Sequence, residues 1–266
     1  MALPPDSQRR FSGRVEDYVR FRPRYPRALV PILREEIGLE SHWTVADVGS
    51  GTGFSAEPFL DNGNPVFAIE PNAEMRHAAE AWLGVRKQFR SVAGSAEATG
   101  LNDASVDLVV AGQAFHWFDR VEARKEFLRI LRPPKWVALF WNTRLLSGSP
   151  FDEGYESLLT RFGTDYDAVR HDRMDRDILA PFFGGRFTRR TIPSEQRFDY
   201  EGLEGRLRSS SYTPPPDHPN YASMLTALRE LFDDHQVDGT VLMPYETEIY
   251  AGQLGRAFGN VWPTEL

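Results

Sequence analysis

Residues 45–54 read "VADVGSGTGF", a short apolar run closed by a carboxylate and followed by glycine at every second position: Asp47, then Gly49, Gly51 and Gly53. Alternating glycines bring no side chains to a core and cost backbone entropy, so the loop is shaped for something that approaches its backbone closely. Outward from it, further apolar runs occur at "PVFAIEP" (65–71), "FRSVAG" (89–94), "VDLVVAG" (106–112) and "WVALFWN" (136–142). Helical patterns fall between them at 55–62, 72–83 and 119–131, the last with Val121, Phe127, Leu128 and Leu131 on one side and charges on the other. Near-continuous apolar strands alternating with helices predict an α/β fold, a doubly wound, mostly parallel sheet with helices on both faces. Pro58 falls inside the first of these helices, which is therefore expected to begin late or be short.

Beyond Asn142 the rhythm changes. Residues 147–180 read as polar helix, 187–200 and 240–250 alternate like strands, "SSSYTPPPDHPN" (209–220) is a linker, and 221–235 is helical. These patterns divide the chain into an N-terminal arm or lid (1–30), a nucleoside-binding core (31–142), an insertion facing the second substrate (143–239), and a C-terminal strand and tail (240–266). The insertion is expected to be helical with one strand returning to the sheet, and the last strand to run antiparallel.

The chain has 266 residues, 41% hydrophobic and 26% charged, the balance of a soluble globular protein. No apolar run approaches the ~18 to 20 residues of a membrane span, and the first residues lack the apolar core of a secretory signal. With no cysteine, disulfides, thiolate zinc sites and cysteine nucleophiles are excluded. A net charge of -7 argues against a coat for nucleic acid. The histidines His42, His77, His171, His218 and His235 show no metal-ligand spacing. A cytoplasmic monomer or homodimer is expected, with no metal and no nucleic-acid or membrane partner.

In an open parallel sheet, ligands sit outside the carboxyl ends of the strands where strand order reverses. The glycine loop falls there, and three later strand ends are polar or glycine-rich. Glu70 is placed for a ribose diol, "GSAEATG" (94–100) offers Ala96 N–H and the Glu97 carboxylate near a base, and "AGQAFHWFD" (111–119) follows the fourth strand. A nucleoside is the simplest common cause. Dinucleotide loops read G-x-G-x-x-G and face a pyrophosphate, which Asp47 would repel. A cationic ligand suits that aspartate, and S-adenosylmethionine carries a sulfonium, an ammonium and an adenosine. It is preferred over NAD; a non-catalytic nucleoside-binding protein and an NAD-dependent oxidoreductase are the rivals.

"VADVGSGTGF", "FAIEPNAEMR", "GSAE" and "AGQAFHWFD" resemble class I, Rossmann-like S-adenosylmethionine-dependent methyltransferases of the small-molecule type 11 group. "YVRFRPRYP" (18–26) and "HWFD" (116–119) are similar to the branch containing trans-aconitate methyltransferase. The resemblance spans roughly residues 11–142, with a weaker likeness at "YETEIYAGQL". It implies that the loop from Asp47 through Gly49 and Gly51 to Gly53 holds the methionyl part, and Glu70 the ribose. It further implies that Met75 packs beside the adenine, Ala96 and Glu97 meet its polar edge, and Gln113 lies under the sulfonium. Tyr18 and Arg22 would close over the cofactor, with Arg22 on its carboxylate.

Methyl transfer is an in-line displacement that needs a base only when the acceptor must lose a proton. His116 is the candidate base; the plainer reading wedges it structurally between Phe115 and Trp117. Tyr18, Arg22, Arg24 and Tyr25 form either an anion clamp or an arm pinned by Pro23 and Pro26. Trp141, Asn142 and Arg144 are placed to line an acceptor pocket, or are core and turn. No Asn-Pro-Pro-Tyr type sequence follows the fourth strand, which points to a small-molecule acceptor, and the resemblance favours oxygen, as carboxylate or hydroxyl.

Overall fold

The computed structural model describes residues 15–164, 166 and 176–255. The first residues of the arm with Arg9, Arg10 and Arg14, the charged stretch 167–175 including His171, and the tail from 256 lie outside the described residues. Seven strands, β1 (Val45–Val48), β2 (Val66–Ile69), β3 (Phe89–Val92), β4 (Val106–Gly112), β5 (Leu131–Arg144), β6 (Phe187–Phe198) and β7 (Val241–Gln253), form one sheet. Their order is β3-β2-β1-β4-β5-β7-β6. Neighbours from β3 through to β5 pair in parallel, while β7 runs antiparallel to both β5 and β6. Strand order reverses between β1 and β4, so their carboxyl ends open a cleft there.

Alternate side chains on the central strands feed two different cores, as a period of two requires. Ala46, Val48, Val109, Ala111, Leu139 and Trp141 pack with Phe127 and Phe182. Val45, Leu108, Val110 and Phe140 pack on the other face with Leu33, Phe59 and Leu83. The helices that supply these layers are α2 (Leu29–Ile37), α3 (Glu57–Asp61) and α4 (Ala73–Leu83) on one face and α5 (Arg120–Ile130) with helix Arg176–Phe183 on the other. Asp47 points into the second layer, where a carboxylate is the exception.

The first crossover helix is short, as Pro58 led the sequence reading to expect, while β5 outruns its expected bounds. α3 spans only Glu57–Asp61, with Pro58 in its first turn, where a missing N–H costs nothing. β5 is longer than 136–142 because it starts directly after α5, and Pro133 and Pro134 sit in an irregularity where the register with β4 jumps from Val106↔Leu131 to Leu108↔Trp136.

The segment after β5 builds a third core on the far ends of β6 and β7. Helices α6 (Pro150–Phe162), Tyr200–Arg208 and Asn220–His235 pack Tyr155, Leu159, Leu203, Leu207, Met224 and Leu228 against Phe198, Met243 and Tyr245. The N-terminal helix α1 (Val15–Phe21) docks on that unit. Phe21 fills the space left by Gly205, where an added Cβ would stand 2.1 Å from the ring. Gln196 also donates to Phe21 O at 3.2 Å. Tyr18 is thereby held at the cleft, and Arg22 beside it on the insertion side. No described helix is long and apolar enough to cross a membrane.

Candidate active site

The glycine loop joins β1 to α3, and its three glycines answer three different demands. All have positive φ: Gly49 at 69°, Gly51 at 53° and Gly53 at 88°. At Gly49 a Cβ would meet Ala114 Cβ at 2.5 Å, so this glycine lets the loops after β1 and β4 touch. At Gly53 it would meet Leu83 Cδ1 at 2.5 Å, so this one seats α4. At Gly51 it would meet nothing within 4 Å. Gly51 alone faces open space, and that space is the cleft.

The cleft is a pocket open to solvent, about 1000 Å³ with the solvent at its mouth included. Its wall includes Tyr18, Gly49, Gly51, Glu70, Met75, Ala96, Glu97 and Gln113. Gly53 and Asp47 stand behind the wall, and Arg22 is absent from it. The sequence reading missed Ser50, Thr52, Ser55, Asn72 and Ser95, which also line it. Small hydroxyl and amide residues at loop turns are common enough that nothing marks these as contacts.

Backbone amides hold the carboxylates in place. Glu70 Oε2 accepts from Gly51 N at 3.0 Å and Oε1 from Asn72 N at 2.9 Å. Burial nevertheless pushes its carboxyl above the ordinary value, against those bonds and Arg76. Asn72 also caps α4 by accepting from Met75 N at 3.1 Å. Glu97 Oε1 accepts from Asp119 N at 2.9 Å, while Asp119 caps α5. The loop carrying Ala96 and Glu97 is pinned by Glu126 of α5, which accepts from Thr99 N and Oγ1 at 2.9 and 2.6 Å. Arg129 foremost, with those Thr99 bonds, holds the Glu126 carboxyl down at about 2.

Asp47 is the outlier. It is fully buried, Oδ2 accepts from Ser55 Oγ at 2.7 Å, and Oδ1 has no partner among the described residues. Burial foremost, with Glu70 nearby and against the Ser55 bond, raises its carboxyl to about 7. A half-satisfied buried carboxylate one layer behind the cleft is a standing demand for positive charge in front of it. With the open cradle at Gly51 and the Glu70 carboxylate in the wall, this donor set fits a cationic amino-acid nucleoside such as S-adenosylmethionine.

Gln113 has φ 55°, a left-handed conformation uncommon outside glycine. It is held there by Gln113 N to Phe140 O at 3.0 Å and Nε2 to Asn142 O at 2.9 Å. The turn places it between the first cavity and a second of similar size, also open to solvent. Tyr18, Tyr25, Phe54, Gln113 and Trp117 line both. His116, Arg22, Asn142 and Arg144 line the second, joined by Tyr166, Arg206, Tyr212 and Tyr245. The His116 ring lies 4.7 Å from that of Trp117. Trp141 belongs to the core, and Arg24 is drawn away to Glu57 Oε2 at 2.7 Å and over the rings of Phe54 and Trp82.

A family profile described as a methyltransferase domain matches residues 46–139, the segment from β1 into β5. Two uncharacterised methyltransferases of Mycobacterium sp., strains KMS and MCS, are each 32% identical over 206 residues, 76% of this chain and 76% of theirs. An uncharacterised methyltransferase-like protein of Schizosaccharomyces pombe is 35% identical over 159 residues, 58% of this chain and 59% of that one. An uncharacterised methyltransferase of Mycobacterium tuberculosis is 37% identical over 134 residues, 50% of this chain and 52% of that one. The chain thus spans only 59% and 52% of the length of these last two relatives. In fold, the structure is similar to a protein named as a type II methyltransferase from Anaeromyxobacter dehalogenans, with a TM-score of 0.66 and 24% identity over 88% of this chain and 98% of that one. The chain belongs to the class I S-adenosylmethionine-dependent methyltransferases.

Proposed function

We propose that this protein transfers a methyl group from S-adenosylmethionine to an oxygen of a small organic acceptor, either a carboxylate or a hydroxyl. The observation that carries this reading is the pair of adjoining cavities with one shared wall of Tyr18, Tyr25, Phe54, Gln113 and Trp117. The glycine-loop cavity takes the cofactor; the insertion-side cavity takes the acceptor. Likeness of "YVRFRPRYP" and "HWFD" to the trans-aconitate methyltransferase branch supports oxygen as the target, and the acidic chain supports a small molecule rather than nucleic acid.

Tyr18, Glu70, Met75, Ala96, Glu97 and Gln113, with the backbone of Gly49 and Gly51, would hold the cofactor. Asp47 would supply negative charge from behind, and Gly53 keeps α4 close enough to shape the loop. When bound, the cofactor supplies an electrophilic methyl on a sulfonium; the acceptor oxygen takes it as the carbon–sulfur bond breaks, and only a hydroxyl acceptor releases a proton. Gln113, fixed by two hydrogen bonds at the shared wall, orients groups meeting there. Phe54, Trp117 and Tyr18 exclude water from the junction. His116, in the acceptor cavity, is placed to take a proton from a hydroxyl acceptor.

Calorimetric titration with S-adenosylhomocysteine, with NAD as control, tests the cofactor assignment. Micromolar binding of the first and none of the second is expected. Binding of NAD alone would reverse the reading of Asp47. A screen of radiolabelled methyl transfer to small hydroxy and carboxylic acids then tests the acceptor; labelled product from amines alone would overturn oxygen as the target.

A further inference from the structure

The insertion-side cavity gathers three arginines, Arg22, Arg144 and Arg206, and no acidic side chain lines it. Arg144 is neutralised just behind the wall by an ion pair with Glu156, which also accepts from Tyr166 Oη at 2.6 Å. The other two have no such partner: among the described residues neither Arg22 nor Arg206 forms an ion pair. Their hydrogen bonds go to neutral groups. Arg22 Nη2 donates to Ser209 O at 3.0 Å and Ser210 Oγ at 3.3 Å. Arg206 Nη1 donates to the same Ser210 Oγ at 2.9 Å, and its Nε to Tyr245 Oη at 3.0 Å. Two guanidinium groups therefore converge on one serine oxygen. Arg206 is only 5% exposed, and Arg22 Nε is buried without a partner.

Buried like charges are costly unless an opposite charge joins them. Here the charges are fixed from both sides: Arg22 by the arm that Phe21 anchors in the insertion, Arg206 by its own helix and β7. The surroundings respond to the field. Burial, then Arg206, brings Arg22 below the ordinary arginine value. Burial works against ionisation of the Tyr212 phenol, yet Arg206, Arg22, Ser210 and Arg144 pull it below its ordinary value. A planar anion with two oxygens matches paired guanidiniums in both charge and fork geometry.

We propose that Arg22 and Arg206 form a two-guanidinium seat for a carboxylate of the acceptor, so that the acceptor is a small organic acid and Arg22 serves it rather than the cofactor. This rests on the assignment of the second cavity to the acceptor. It moves Arg22 away from the cofactor carboxylate that family resemblance implies for it. The aromatic wall of Tyr18, Tyr25, Phe54 and Trp117 then receives the rest of the acid, whose reacting oxygen reaches the shared wall near Gln113.

The test uses the full chain saturated with S-adenosylhomocysteine and titrated with succinate and benzoate, each paired with its neutral methyl ester, and separately with inorganic phosphate. At least one acid is expected to bind ten-fold or more tightly than its ester and than phosphate. Arg22→Gln is expected to weaken that acid at least ten-fold while changing S-adenosylhomocysteine affinity less than two-fold. Arg206→Gln should do the same if it folds; Arg22, half-buried where Arg206 is buried, carries the test if it does not. Esters binding as well as acids, phosphate binding while the acids do not, no acid binding at all, or Arg22→Gln weakening only S-adenosylhomocysteine would each overturn the seat. The same titration without S-adenosylhomocysteine separates the two claims. Acid binding that Arg22→Gln removes would keep the seat even if the cofactor assignment failed.

Discussion

Asp47→Asn is the sharpest perturbation available, because it should make the protein more stable and less competent at once. The side chain is fully buried, Ser55 satisfies one oxygen, and the other has no partner among the described residues. Its carboxyl stands at about 7 against an ordinary 3.8. Between those values the folded chain holds a proton that the unfolded chain has released, so stability falls as pH rises through that window and the loss is complete above about 7. At about 1.4 kcal/mol for each pH unit, the ionised carboxylate costs the ligand-free fold about 4 kcal/mol above pH 7. Asparagine keeps the shape and an acceptor for Ser55 Oγ–H but never ionises. Urea denaturation of both proteins from pH 4 to 8, plotted as the difference in unfolding free energy, should rise with pH in favour of the variant and level off above about 7. Titrating groups remote from Asp47 cancel in that difference, whereas Glu70, whose charge bears on Asp47, adds a smaller contribution of its own. Calorimetry at pH 8 should show S-adenosylhomocysteine affinity reduced at least ten-fold, because the buried charge behind the cleft is gone. A difference curve flat with pH would refute the account of Asp47 as a strained carboxylate. Unchanged affinity would refute its role in cofactor binding.

Glu70→Ala should lower S-adenosylhomocysteine affinity about ten-fold, since it removes a wall carboxylate and releases the Gly51 and Asn72 amides; isothermal titration decides, and full affinity would remove Glu70 from the site. Gly51→Val and Gly53→Val separate ligand space from packing space. The first should abolish binding with a modest loss from its positive φ, whereas the second should cost roughly 1–3 kcal/mol through its clash with Leu83, read by thermal denaturation; equal behaviour would mean the two glycines share one role. With a hydroxyl acceptor, His116→Gln should lower turnover while leaving S-adenosylhomocysteine affinity intact, and unchanged turnover on such an acceptor would return His116 to packing against Trp117.

What the sequence made legible was local. β1, the glycine loop and the polar ends of β2, β3 and β4 each lie within a few residues of the signal that marks them, and parallel strands alternating with helices leave few topologies. The glycines themselves were less transparent. Gly49, Gly51 and Gly53 share one residue type and one sign of φ, yet face Ala114, open space and Leu83, and only three-dimensional neighbours separate these cases. Arg22 shows the limit most clearly. Its partners Ser209 and Ser210 lie 187 and 188 residues away, inside a stretch that reads as a Pro/Ser linker. Arg206, Tyr212 and Tyr245 were invisible for the same reason: no periodicity ties them to the strand ends they join.

The position of β7 has a consequence for the order in which this protein comes into being. β7 fills the gap between β5 and β6, yet it is the last strand of the sheet to be synthesised. On the ribosome, β1 to β5 can assemble around the cofactor loop while β5 waits as an open edge carrying Phe140 and Trp141. Its hydrogen-bonding row finds a partner only when residues 245–253 emerge, about a hundred positions later. Until then Tyr245 is missing from the insertion-side cavity and the insertion helices lack one of the strands they pack on. The nascent chain therefore passes through an interval in which the glycine-loop half is formed, the insertion half is not, and an apolar strand edge is free to pair with a neighbouring chain. Slow translation across 145–240 would lengthen that interval, and aggregation yield during synthesis should track it.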